Sequence, residues 1–153
     1  MHIVVATEAA QIQQVRELFH EYWNSFGFTP CFQNFSTEVE SLPGCYAPPG
    51  GVLALAMVNG EPAGCAALRQ VDRDRCEAKR LYVRPGFRGA GLGKALLDWL
   101  IARARHLGYR EMVGDTMPVM SRALEMYLRA GFERTTPYSA EPTPGAIYLS
   151  FRL

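Results

Sequence analysis

The 153-residue chain suits one compact domain and can bury a sizeable core without metal or disulfide staples. Hydrophobic residues make up 48% and charged residues 20%, which excludes a disordered chain and fits a globular one. Its 16 basic and 15 acidic residues leave a net charge of +1, which argues against a nucleic-acid partner but leaves room for a local basic site that holds a phosphorylated ligand.

The first predicted strand is His2 to Ala6, short and β-branched. Thr7 is placed to cap the helix that follows, with Glu8 in its first turn. Ile12, Val15, Leu18, Phe19 and Tyr22 recur at helical spacing, and Gly27 and Pro30 end the helix. An aromatic, irregular stretch from Phe26 to Phe35 precedes a short second helix, Ser36 to Leu42, capped by Ser36. Pro43-Gly44 stops it, and Pro48 to Gly51 make a loop.

Val52 to Val58 reads as an apolar strand and Glu61 to Gln70 as its partner, joined by the hairpin signal Asn59-Gly60. After the polar turn Asp72 to Arg75, Cys76 to Val83 forms a third antiparallel strand that ends at Pro85-Gly86. The helix after Gly91 carries the clearest stripe: Leu92, Leu96, Leu100, Ala104 and Leu107, widened by Leu97 and Ile101 and stopped by Gly108. Tyr109 to Asp115 is a strand. Pro118 is suited to a helix start, and Ala123 to Ala130 carry that helix to Gly131. Phe132 to Thr136 and Ala146 to Leu153 are the last strands, around a proline-rich loop from 137 to 145. The order β-α-α-β-β-β-α-β-α-β-β predicts an α/β fold of mixed α+β type: a mixed six- to seven-stranded sheet with helices on both faces, in a single domain over 1–153.

The four cysteines, Cys31, Cys45, Cys65 and Cys76, form no C-x-x-C pair, and His2, His20 and His106 are scattered, so no metal site is expected. The N-terminus lacks the charge-then-apolar pattern of a signal peptide, and no run reaches the roughly 20 apolar residues of a membrane span. A cytoplasmic protein with reduced thiols and no membrane partner is the expectation.

Chemistry concentrates in Leu81-Tyr82-Val83-Arg84-Pro85-Gly86-Phe87-Arg88-Gly89-Ala90-Gly91-Leu92-Gly93-Lys94, between a strand and a helix start. Glycines there let a ligand approach the backbone, and free amides at a helix N-terminus attract phosphate. Arg88 and Lys94 add positive charge. A P-loop is excluded, because position 88 is Arg and Lys94 is followed by Ala95. The dinucleotide fingerprint also fails, since Lys94 stands where the third glycine belongs. Arg88-x-x-Gly91-x-Gly93 remains.

That segment resembles the Arg/Gln-x-x-Gly-x-Gly/Ala signature of the GNAT superfamily of N-acetyltransferases. Glu77 to Val83 looks like the family's fourth strand, and Ala123 to Phe132 is similar to its Ala-x-x-x-Tyr-x-x-x-Gly-Phe segment. The resemblance is strong over Cys76 to Phe132; the first 70 residues fit by topology. It implies acetyl-CoA as donor and direct acetyl transfer to a primary amine on a small molecule, amino acid or peptide, with homodimers common among relatives. A non-catalytic acyl-CoA-binding module is the alternative.

The resemblance also implies roles. The pyrophosphate would rest on Arg88, Gly89, Ala90, Gly91, Leu92, Gly93 and Lys94. Leu81, Tyr82 and Val83 would pair with the pantetheine arm where the fourth strand bulges and splays from the fifth, a backbone N–H near Tyr82 or Val83 polarising the thioester. Glu77 is the candidate general base, against a reading as a carboxylate paired with Arg75 or Lys79; Asp115 is the alternative base. Tyr127 is the candidate general acid, against a reading as a packing aromatic. Cys76 reads as a small core residue and His20 as a surface or satisfied histidine. Phe26, Phe28, Phe32 and Phe35 are core or acceptor pocket, and residues 24–35 and 137–145 would flank the acceptor.

Overall fold

The computed structural model describes residues 1–28 and 34–153. The chain runs β1 (His2–Val5), α1 (Ala9–Ser25), α2 (Phe35–Glu40), β2 (Val52–Val58), β3 (Glu61–Gln70), β4 (Arg75–Val83), α3 (Leu92–His106), β5 (Glu111–Thr116), α4 (Ser121–Arg129), β6 (Glu133–Thr135) and β7 (Ile147–Arg152). This is the expected order. The seven strands form one sheet, β1-β2-β3-β4-β5-β7-β6, antiparallel everywhere except between β4 and β5. Asn59 and Gly60 take φ of 51° and 79°, the left-handed pair that a tight hairpin turn needs.

Three helix starts differ from the sequence expectation. Glu8, not Thr7, caps α1, because it forms a reciprocal capping box with Gln11. Asn34, at φ 57°, precedes α2 in place of Ser36, which sits inside the helix. Pro118 lies in the turn before α4, which begins only at Ser121. Pro30, Cys31 and Phe32, expected in the helix stop, the thiol set and the aromatic cluster, lie outside the described residues.

The sheet is covered on both faces. Alternate residues of β2 divide between two cores: Val52, Ala54 and Ala56 face α3 and α4, while Leu53 and Leu55 face α1 and α2. This explains why β2 and β3 read as continuous apolar runs. Leu107 caps α3 and is partly exposed, while the stripe is buried from Leu92 to Ala104, with Leu96, Leu97 and Leu100 at 0% exposure. Each such leucine contributes on the order of 1.5–3 kcal/mol. Cys76 is fully buried in the same core, and burial pushes its thiol up to about 12, as suits an inert packing residue. His20 is exposed, its ring edge-on to Phe35.

β4 carries a bulge. Lys79 stands opposite Ala67 and Tyr82 opposite Cys65, so Arg80 and Leu81 together oppose Ala66. Arg80 absorbs the distortion at φ 58°. Its guanidinium packs 4.6 Å from the Trp23 ring centre and donates to both oxygens of Glu38, at 2.9 and 3.0 Å. Burial works against the Glu38 carboxylate, but the hydrogen bond and charge of Arg80 outweigh it and hold the carboxyl below its ordinary value. A depressed carboxyl stabilises the fold above its unfolded-state pKa, near 4.3, and that contribution vanishes as pH falls through the lower folded value. Glu38→Gln keeps one acceptor for Arg80 but loses the charge. It is expected to cost about 2 kcal/mol at pH 7. Urea melts of both proteins from about pH 7 to 3 check this: the gap between them must close as the solution is acidified.

Candidate functional site

β4 and β5 pair only at Arg75, Cys76 and Glu77 against Glu111, Met112 and Val113. Beyond these three positions the strands separate, while β4 runs on to Val83 and β5 to Thr116. A pocket in the gap shares Tyr22, Leu81, Met120 and Ala123 with one cavity, and Lys79 and Asp115 with another.

On one side lies a groove of ≈ 620 Å³. Its walls are Leu81, Tyr82 and Val83 from β4, the loop and helix start at Arg88, Gly89, Gly91, Leu92 and Gly93, and the α4 end around Ala123 and Met126. Gly91 is the residue before α3 at φ 81°, and Gly89 has φ 89°. A Cβ built on either meets nothing within 4 Å, so both face open space. The first amides of α3 have no acceptor within the helix and offer an anion site. Arg88 folds over the Tyr82 ring and donates to the Val83 carbonyl at 2.8 Å. Eight of the ten expected cofactor residues thus come together. Ala90 and Lys94 are not in the wall; Lys94 is exposed and pairs with Asp98 one turn along α3 at 2.6 Å.

Between the diverging strands is a throat with only ≈ 30 Å³ of free space, lined among others by Tyr22, Lys79, Asp115, Thr116 and Tyr127. Tyr127 is 6% exposed and edge-on to Phe132. Burial pushes its hydroxyl well above the ordinary tyrosine value. It therefore has both a packing environment and a place in the throat. Burial also raises the Tyr22 hydroxyl, to about 12. Thr116 Oγ1 is buried with no hydrogen-bond partner among the described residues. An orphaned donor here fits a ligand that carries polar atoms through the throat.

On the other side lies a polar chamber of ≈ 350 Å³. Glu77 is in its wall at 3% exposure, so it is not a surface carboxylate. Its partners are neither Arg75 nor Lys79. Arg69, its cross-strand neighbour on β3, donates Nε to Oε1, and the Tyr138 hydroxyl donates to Oε2. Burial and the adjacent Glu77 charge push the Tyr138 hydroxyl far up. Asp115 and Lys79 line both chamber and throat.

Of the segments expected around the acceptor, the 137–145 loop supplies Tyr138, Ser139, Glu141 and Thr143, and the 24–35 segment supplies Asn34. The described members of the aromatic cluster form a chain of ring contacts, Phe26 to Phe28 to Trp23 to Phe35, that runs from the groove to the core. Phe35 is core, stacked 4.3 Å from Trp23; Phe28 reaches the throat, and Phe26 the groove. Sequence reasoning missed Arg69 and the individual role of Tyr138. The hairpin register places Arg69 beside Glu77, whereas nothing local to Tyr138 announces its partner. Among the described residues no group of three His, Cys, Asp or Glu side chains could hold a metal, and no helix is long and apolar enough to cross a membrane.

The family model described as Acetyltransferase (GNAT) family matches residues 12–132. An uncharacterized N-acetyltransferase from Schizosaccharomyces pombe is 35% identical over 144 residues, covering 93% of this chain and 88% of the relative. The crystal structure of an acetyltransferase from Streptococcus agalactiae superposes with a TM-score of 0.84 over 99% of this chain and 98% of that one, at 19% identity. A GNAT family acetyltransferase from Elizabethkingia anophelis with acetyl-CoA bound is 29% identical, with a TM-score of 0.59 over 68% of this chain and 77% of its own.

Proposed function

This chain belongs to the GNAT acetyltransferase family, and on that premise we propose that it transfers the acetyl group of acetyl-CoA directly to a primary amine. The observation that carries the reading is that groove, throat and chamber follow one another along the split between β4 and β5 and share wall residues. Such a passage lets a long thin donor enter from one side of the sheet and an acceptor from the other. The pyrophosphate rests on the amides at the start of α3 with Arg88 beside it. Ala90 and Lys94 contribute from outside the wall, through backbone and charge. The pantetheine arm pairs with the unpaired edge of β4 from Leu81 to Val83. A β4 amide polarises the thioester carbonyl.

The amine nitrogen attacks the carbonyl carbon, the C–S bond breaks, and the sulfur leaves with the electron pair. The proton lost by the amine goes to Glu77. A free alkylamine has a pKa of about 10.4, so at neutral pH it needs such a base. Because both Glu77 oxygens are engaged, the proton passes through Tyr138, which gives its own to Glu77 as it takes one from the amine. Both residues line the chamber where the amine would wait.

Tyr127 serves the leaving sulfur. Its hydroxyl is a weak acid made weaker by burial, while a thiol has a pKa near 8.5. Full proton transfer is uphill, so the hydroxyl acts mainly as a hydrogen-bond donor. Tyr127→Phe is expected to slow single-turnover transfer by about 10²-fold or less, the low end of acid catalysis. Acetyl-CoA affinity and the melting temperature should stay at parental values; a full-speed variant would assign Tyr127 to packing alone. The reading as a whole is tested by thiol release from acetyl-CoA against an amine library, followed by the product mass. Release with an added 42 Da on the amine is expected. Tight cofactor binding without transfer to any amine would make the chain a binding module.

A further inference from the structure

We infer that the polar chamber receives a small amino acid, its carboxylate held by Lys79 and its amine turned toward Asp115 and the throat; this rests on the acetyl-transfer reading above. Lys79 and Asp115 stand on the two diverging strands, each two residues past the last paired positions, Glu77 and Val113. Both line the throat as well as the chamber, so they flank the place where an attacking nitrogen meets the thioester.

The two neighbouring guanidinium groups are committed. Arg69 is bound to Glu77, and Arg80 to Glu38. Lys79 is half-buried, and among the described residues its ammonium has no ion pair and no hydrogen bond. Glu38 in the same wall acts on it electrostatically without touching it, so the ammonium keeps its donors for a ligand carboxylate. A plain monoamine could answer Asp115 but would leave the Lys79 ammonium without an acceptor, so it would forgo one of the two charge-assisted contacts.

The opposite sign on the facing strand completes the match. Asp115 offers a carboxylate to an ammonium while Lys79 offers an ammonium to a carboxylate. An ammonium and a carboxylate on one carbon can satisfy both without a long spacer. The chamber's ≈ 350 Å³ is at the small end of ligand sites, which favours a single amino acid over a bulky drug-like amine.

The test compares kcat/KM for the common amino acids with that for their decarboxylated amines and their carboxamides, in the parent and in Lys79→Met. Amino acids should lead their amines by at least about tenfold. In Lys79→Met most of that lead should vanish, chiefly through KM, as for one lost charge-assisted hydrogen bond worth about 10- to 100-fold. Lys79→Arg should restore part of it. Amines used as well as amino acids by the parent, or a loss in Lys79→Met that is equal for both substrate classes, would overturn the assignment. Calorimetric titration of the CoA-bound protein with the same compounds separates this from failure of the underlying reading. Amino-acid binding that Lys79→Met weakens, without any transfer, would keep the chamber's ligand and remove the acetyl-transfer reading. Transfer with no preference for a carboxylate would do the reverse.

Discussion

Gly91→Asp is expected to abolish acetyl-CoA binding while the fold persists. Gly91 precedes α3 at φ 81°, and a Cβ there projects into the open groove. Asp is one of the few side chains that tolerates this backbone region, so the strain stays at roughly 1–2 kcal/mol or less. The carboxylate, however, would occupy the ground that the pyrophosphate needs. It would also accept hydrogen bonds from the α3 amides and present a negative charge to a negative ligand. Occlusion and repulsion act together, so affinity should fall by more than about 10²-fold, beyond 2.7 kcal/mol. Calorimetric titration with CoA, beside a circular dichroism melt, is the measurement. A folded variant that still binds CoA at parental strength would remove the loop from the site.

Glu77→Gln should lower kcat/KM by about 10²–10⁴-fold near pH 7, the usual range for a positioned base. The deficit should narrow as pH rises toward the pKa of the amine, because solvent then deprotonates the acceptor without help. The sign is diagnostic: a loss caused by distorted packing would be independent of pH. Glutamine keeps its one oxygen for Arg69 and turns its NH2 to the Tyr138 hydroxyl, which can accept instead of donate, and Arg69 is one-third exposed, so its charge remains solvated when the carboxylate is removed. Stability should therefore change little. Cofactor affinity should also hold, since Glu77 lines the chamber and not the groove. Parallel pH–rate profiles for the two proteins would make Glu77 a structural partner of Arg69 and leave Asp115, in the wall of the throat, as the base.

Much of this architecture can be read from local pattern. β2 and β3 occupy the expected residues because their apolar runs are bounded by punctuation that only turns tolerate, Gly51 and Asn59-Gly60. α3 is legible from its leucine stripe and from the glycine before it. Pattern fails where neighbours compete at close range. Thr7 is the better cap by residue type, yet Glu8 takes the position because Gln11 closes a capping box with it. Pro118 is a helix-start residue used in a turn, since α4 cannot begin until the chain has crossed from β5.

The site divides in the same way. The glycine-rich loop is contiguous and legible in the sequence, while Glu77 and Tyr127 stand out only through resemblance, and the roles of all three are proposals. The chamber is built from contacts between residues far apart in sequence, Glu77 with Tyr138 and Arg80 with Glu38. No window of sequence contains those pairs. Charge accounting across the chamber, which singles out Lys79, needs the three-dimensional neighbourhood.

If acetyl-CoA enters as proposed, the three-pair seam between β4 and β5 makes cofactor capture part of building the protein. A sheet normally completes itself with its own chain, yet here the inner edges of two strands are left with donors and acceptors that no third strand satisfies. A ligand that bonds to the β4 edge and fills the wedge supplies what amounts to a missing piece of sheet. Every such bond is made only in the folded state, so folding and occupancy are linked: the folded population grows as RT ln(1 + [L]/Kd) in free energy. With acetyl-CoA at about one hundred times its dissociation constant, that term reaches about 2.7 kcal/mol, a sizeable share of the 5–15 kcal/mol that holds a typical domain together. On the proposed reading, the durability of this protein is coupled to the acyl-CoA supply around it, rising when donor is plentiful and falling when it is scarce.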